Sequence, residues 1–142
     1  MKIFLSHARK DGALAHQLAE RLRQGAFDVW LSEDKIVPGE NWAKKVGKAL
    51  DDAELMVLLL TPAAMDSDSL RQDIEFALGS RKYENRLFSV FVGPTMQADK
   101  EMPWILLKLP YVQVESAKDF AKVVRGIQNL ATKTPDLSRS NA

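Results

Sequence analysis

Leu55-Met56-Val57-Leu58-Leu59-Leu60 is an unbroken apolar run, bounded by Asp51-Asp52 on one side and Thr61-Pro62 on the other. A strand with one face in water alternates apolar and polar side chains; a strand covered on both faces has no need to. The run therefore reads as a parallel strand buried between two layers of helix, with Asp51-Asp52 as a turn before it. Upstream, Ile3-Phe4-Leu5 reads as a short buried strand ending at Ser6, and Phe27-Asp28-Val29-Trp30-Leu31 as another, with Trp30 in the core. Between them, Leu14, Ala15, Leu18, Ala19 and Leu22 keep helical spacing over 11–24, and Gly25 stands where a C-cap glycine belongs. Residues 40–50 repeat that spacing with Trp42, Val46, Ala49 and Leu50.

Downstream, Asp66-Ser67-Asp68-Ser69 reads as a helix N-terminus, with Ser69 and Gln72 at capping-box spacing. Leu70, Ile74, Ala77 and Leu78 form the apolar stripe of that helix, which stops near Gly79. Leu87-Phe88-Ser89-Val90-Phe91-Val92 is a fourth strand closed by Gly93-Pro94. Residues 95–109 hold a loop and a short amphipathic piece around 104–107. Tyr111-Val112-Gln113-Val114 is a fifth strand, and 116–130 a last helix built on Phe120, Val123, Val124, Ile127 and Leu130. Strand and helix thus alternate throughout, which predicts an α/β fold: a five-stranded parallel sheet with helices on both faces. Right-handed crossovers favour the flavodoxin-like three-layer order 2-1-3-4-5. One domain spans 1–131, and 132–142 has the composition of a flexible tail or linker.

Composition narrows the function. The 142 residues carry 20 basic and 19 acidic side chains, a net charge of +1. That balance offers no bulk attraction for nucleic acid or a membrane surface. No stretch approaches the roughly 20 apolar residues that span a bilayer. The absence of cysteine excludes disulfides, thiolate metal sites and a cysteine nucleophile, and fits a reducing compartment. The two histidines, His7 and His16, do not make a zinc cluster.

In the predicted topology the sheet reverses direction between its first and third strands, so the loops starting at Ser6, Ser32 and Thr61 border the ligand crevice. Ser6-His7-Ala8-Arg9-Lys10-Asp11 joins a hydroxyl and cations to a helix N-terminus. Such a group can hold a phosphate; it equally suits a Ser6 cap with solvated Arg9 and Lys10. The sequence has no Gly-rich nucleotide fingerprint. Ser32 to Trp42 is charged and contains Pro38-Gly39; Trp42 serves as core anchor or ligand platform. In the helix after the third strand, Asp73 falls nearer the apolar stripe than Glu75, at about 100° per residue. A carboxylate at that margin can be half-desolvated for chemistry, and an acidic first turn also simply favours the helix dipole.

Taken together, 3–11, Val29-Trp30-Leu31 with Asp34, Pro38-Gly39-Glu40 and Trp42, 55–62, 67–78 and 86–93 resemble, in order, the conserved boxes of TIR (Toll/interleukin-1 receptor) domains of the bacterial type. The resemblance covers residues 2 to about 131. It implies the flavodoxin-like fold and one of two functional modes. One is cleavage of the nicotinamide–ribose bond of NAD⁺, giving nicotinamide and ADP-ribose or a cyclic product. The other is a non-catalytic scaffold that joins other TIR domains through the 32–42 loop.

For the enzymatic mode the resemblance places Ser6, His7, Arg9, Asp34, Lys35, Gly39 and Trp42 around NAD⁺, which is the substrate; no separate cofactor and no metal are implied. Enzymatic members carry a Trp-x-x-x-Glu pattern on the helix after the third strand. Here Ser69 and Asp73 stand at those two positions, with Glu75 two residues later. The catalytic carboxylate is thus expected to be Asp73 or Glu75. The resemblance also implies cytoplasmic signalling in defence, or action in a host cytosol as a virulence factor, with a sensor or effector domain fused after residue 132.

Overall fold

The computed structural model describes residues 1–31, 48–49, 51–62, 68–79, 86–93 and 109–133. Its strands are β1 (Lys2–Ser6), β2 (Asp28–Leu31), β3 (Leu55–Leu60), β4 (Leu87–Val92) and β5 (Tyr111–Val114). Its helices are α1 (Gly12–Gln24), α2 (Asp68–Gly79) and α3 (Phe120–Lys133), and short 3₁₀ turns at Arg9–Asp11 and Ala117–Asp119 lead into α1 and α3. The strands form one sheet in the order β2-β1-β3-β4-β5, and every pairing is parallel. This is the flavodoxin-like order expected from the alternation of strand and helix.

The apolar run that decides the fold is β3, and each of its six residues is buried. Alternation along the strands sends side chains to opposite faces. Phe4, Met56, Leu58, Leu60, Leu87 and Phe91 pack on one face against Leu70, Ile74 and Ala77 of α2, with Ala49 and Ala53 beside them. Ile3, Leu5, Val29, Leu55, Val57, Leu59, Phe88 and Val90 pack on the other, against Leu18 and Leu22 of α1 and Phe120, Val123 and Ile127 of α3. The middle of the sheet is thereby dry on both sides, as its composition requires. The edge strand β5 buries only Val114 completely.

Gly25 is the C-cap of α1, as its place in the sequence suggests; its φ is −84°, and the positive φ of 72° is held by Ala26. The end of α1 is still a Schellman motif. The Ala26 amide donates to Arg23 O and the Phe27 amide to Leu22 O, each at 3.0 Å, and Phe27 packs in the same cluster as Leu22. Gly25 is needed for a different reason: a Cβ there would lie 2.8 Å from Val124 Cγ1 of α3.

Asp51 and Asp52 are helical, as are Lys48 and Ala49, so the helix before β3 runs through the expected turn. The rest of that 40–50 helix lies outside the described residues, as does the 95–108 segment. Ser69 sits inside α2, one residue after its first described position, so it does not act as the N-cap. The last helix begins at Phe120 and continues to Lys133; the 3₁₀ turn before it is capped by Ser116, whose hydroxyl accepts from the Lys118 amide. Trp30 packs against the core as expected, half-buried, with its ring stacked on Phe4 at 5.0 Å between centroids.

Candidate functional site at the carboxyl ends of β1 and β3

The strand order reverses direction beside β1: the chain leaves β1 for β2 on one side and returns to β3 on the other. Loops diverge there, and the space between them is where α/β sheets hold ligands. Ser6 ends β1 and is buried, and His7 follows it at 7% exposure. Their burial is unusual for polar residues and follows from their place at the core end of a central strand.

The His7 ring is fixed by its neighbour. Nδ1 lies 2.8 Å from Ala8 O. A carbonyl oxygen only accepts, so Nδ1 carries the proton and donates. In the neutral ring Nε2 is then a hydrogen-bond acceptor. Arg9 opens the 3₁₀ turn that follows, which is closed by the Asp11 amide donating to Ala8 O at 2.9 Å.

Across the crevice, Thr61 follows β3 and is buried. Its hydroxyl donates to the Asp11 carboxylate over 2.6 Å. A short bond to a charged acceptor is among the stronger kinds. It ties the β1–α1 loop to the exit of β3. The sequence reading placed both loops at the crevice but did not pair these residues. The available signal was a hydroxyl residue directly after the central apolar run and a carboxylate at the start of the first helix.

The expected carboxylates lie on α2. Asp73 precedes the buried Ile74 in the helix, and Glu75 is exposed. Glu75 thus stands on the solvent side of a helix whose Leu70, Ile74 and Ala77 face the sheet. Asp34, Lys35, Gly39 and Trp42 lie outside the described residues. The structure therefore brings together Ser6, His7 and the backbone of Arg9 at one crevice, adds Asp11 and Thr61, and sets Asp73 on the helix that follows β3.

A cavity of about 440 Å³ opens elsewhere, lined in part by Ile3, Asp28, Trp30, Lys48, Ala49 and Ala53. Ile3 and Asp28 stand near the amino ends of β1 and β2 and Ala53 just before β3, towards the opposite end of the sheet from Ser6 and Thr61. Size alone does not make it the site; the switch-point crevice has the buried polar groups that ligand recognition uses. Among the described residues no group of three or more His, Cys, Asp and Glu side chains converges as a metal site. No helix among them is long and apolar enough to cross a membrane.

Comparison with known proteins agrees with this fold. The profile of the TIR domain family matches residues 3–126. A curated protein of Bacteroides thetaiotaomicron, the 2' cyclic ADP-D-ribose synthase BtTIR, is 33% identical over 61 residues; the match covers 42% of this chain and 21% of that protein. The chain thus spans about a fifth of that relative's length. Among solved structures, a metazoan TIR-STING receptor from C. gigas superposes with a TM-score of 0.70 at 19% identity, over 88% of this chain and 39% of that one. The SEFIR domain of IL-17 receptor B superposes with a TM-score of 0.56 at 14% identity, over 89% of this chain and 96% of that one. At such identities these two likenesses speak to the fold alone.

Proposed function

Because the chain belongs to the TIR domain family, we propose that it acts as an NAD⁺ nucleosidase, breaking the nicotinamide–ribose bond and releasing nicotinamide with ADP-ribose or a cyclised form of it. The observation that carries this reading is the 33% identity over 61 residues to a protein named as a cyclic ADP-ribose synthase. Support comes from the crevice, whose buried Ser6 and His7 sit beside a turn opened by Arg9. Donors and a cation there suit the pyrophosphate and ribose of a dinucleotide.

In this reading the nicotinamide leaves as the ribose C1′ takes on oxocarbenium character. Asp73 stabilises the positive charge and orients the ribose hydroxyls, as carboxylates do in glycosidic cleavage. Asp73 is preferred to Glu75 because Glu75 is exposed and a catalytic group must sit within about 0.5 Å of its productive position. His7, holding its proton on Nδ1, offers Nε2 as an acceptor to a substrate hydroxyl or amine. Asp34, Lys35, Gly39 and Trp42 complete the pocket from the 32–42 loop. The same loop joins one copy to the next, so the site is finished by assembly.

A second reading, a non-catalytic TIR scaffold, is favoured by Ser69 and Asp73 standing where the enzymatic pattern has tryptophan and glutamate. Incubating the purified chain with NAD⁺ across a range of protein concentrations and following free nicotinamide separates the two. Release that rises more steeply than protein concentration is the expected result. No release at the highest concentration, with the chain assembled, refutes the enzymatic reading and leaves the scaffold.

A further inference from the structure

The carboxyl rim of the sheet is stitched together by contacts that secondary structure does not require. Thr61, at the exit of β3, donates to Asp11 at the end of the β1 loop over 2.6 Å. Pro62, the next residue, lies against Gly93 at the exit of β4, where an added Cβ would stand 3.7 Å from its Cδ. The Gly93 carbonyl accepts from Gln113 Nε2 of β5 at 2.8 Å, and the Gly93 amide donates to Val114 O at 3.0 Å. The exits of β1, β3, β4 and β5 are thereby joined in a row. Within the row, the Thr61–Asp11 bond alone crosses the switch point, joining segments 50 residues apart.

That placement gives the bond a task. Asp11 heads α1, yet its carboxylate makes no cap to the helix amides. The carboxylate accepts from the Thr61 hydroxyl instead. An N-cap carboxylate that leaves the helix amides unbonded forgoes the stability of a cap. The geometry spends that group on holding the 6–11 loop to the neighbouring strand.

We propose that Asp11 and Thr61 are positioning residues of the dinucleotide site: they fix the loop carrying Ser6, His7 and Arg9 at the separation from β3 that the substrate needs. This rests on the NAD⁺ reading above. Neither residue touches the reacting atoms; each acts through the loop.

The test compares Thr61→Val, Thr61→Ser and Asp11→Asn with the wild-type chain. Valine matches threonine in shape and removes the hydroxyl; serine keeps it; asparagine still accepts but without charge. Losing a hydrogen bond to a charged group predicts a KM for NAD⁺ raised roughly tenfold in Thr61→Val, with kcat within about twofold. Asp11→Asn falls between, and Thr61→Ser restores the wild-type value. Hydrogen exchange supplies a readout independent of catalysis: the Asp11 amide, bonded to Ala8 O, exchanges faster in Thr61→Val and at the wild-type rate in Thr61→Ser.

A Thr61→Val protein with a lowered melting temperature and unchanged KM, assayed well below that temperature, has lost a merely structural bond, and the proposal falls. Unchanged Asp11 exchange also overturns it. A wild-type chain that releases no nicotinamide at any concentration refutes the enzymatic reading instead; there the exchange measurement still decides whether the bond holds the loop.

Discussion

Exchanging the order of Gly25 and Ala26 tests how the end of α1 is built. In the native chain Ala26 holds φ at 72°, a conformation that costs an L-residue about 1–2 kcal/mol. Glycine adopts it freely but loses about 0.5–1 kcal/mol more backbone entropy on folding. Ala26→Gly therefore stabilises by about 0.5–1 kcal/mol, the difference between these two effects. For a chain of this size that raises Tm by about 2–3 °C.

Gly25→Ala goes the other way. Its φ of −84° suits alanine, so the backbone raises no objection. The new methyl, however, would stand 2.8 Å from Val124 Cγ1, about 1 Å inside ordinary contact. Valine in a helix is stiff about χ1, so α3 must shift, at about 1–3 kcal/mol. Thermal and urea denaturation followed by circular dichroism measure each variant.

Two outcomes refute this account. A fall in Tm for Ala26→Gly means that the positive φ is not a strain. An equal loss from Gly25→Ala in the wild-type and Val124→Ala backgrounds means that close approach of α3 is not what Gly25 serves. The expected coupling is about 1 kcal/mol, with the loss largely gone when Val124 is alanine.

Other predictions concern the core, the rim and the chemistry. Ser89 is fully buried in β4 and its hydroxyl has no hydrogen-bond partner among the described residues; Ser89→Ala removes a desolvated group and raises stability by about 1 kcal/mol, and a lowered urea midpoint would contradict this. Gly93 holds φ at +105°, and an added Cβ would make only ordinary contact with Pro62, at 3.7 Å from its Cδ, so Gly93→Ala destabilises through backbone strain by about 1–2 kcal/mol; an unchanged Tm would show that the turn relaxes without cost. Asp73→Asn lowers nicotinamide release by about a hundredfold or more and more than Glu75→Gln does, while both proteins stay folded; retention of full activity by both removes the carboxylate assignment.

Much of this molecule is written in short-range pattern. β3 was visible because six adjacent apolar residues leave no wet face, and α1 and α3 because Leu18, Leu22, Val123 and Ile127 recur at the helical period. The parallel sheet followed from alternation, and its order from the right-handed crossovers that such a sheet favours. What sequence missed depends on tertiary approach. Glycine at 25 marked the C-cap of α1, which the structure has there; the constraint that Val124 adds comes from about a hundred residues away in the chain. The Thr61–Asp11 bond joins two residues that each have an ordinary local explanation, a strand end and a helix start. Asp51 and Asp52 looked like a turn because aspartate often makes one, whereas here they carry a helix up to the strand. On α2 the wheel separated Asp73 from Glu75 by a small angle, and Glu75 is exposed.

The place of β1 has a kinetic consequence. It pairs with β2, which starts at Asp28, and with β3, which starts at Leu55. The crevice lies on the second of these seams. Closing that seam requires a loop of about fifty residues to lose its freedom first, which slows the step compared with local pairing. Helix α1 and the β1–β2 seam can form early and still present no binding surface. Ligand binding should therefore be the last property to return during refolding, after helical circular dichroism has recovered. In a ribosome-bound chain it should wait until β3 has cleared the exit tunnel.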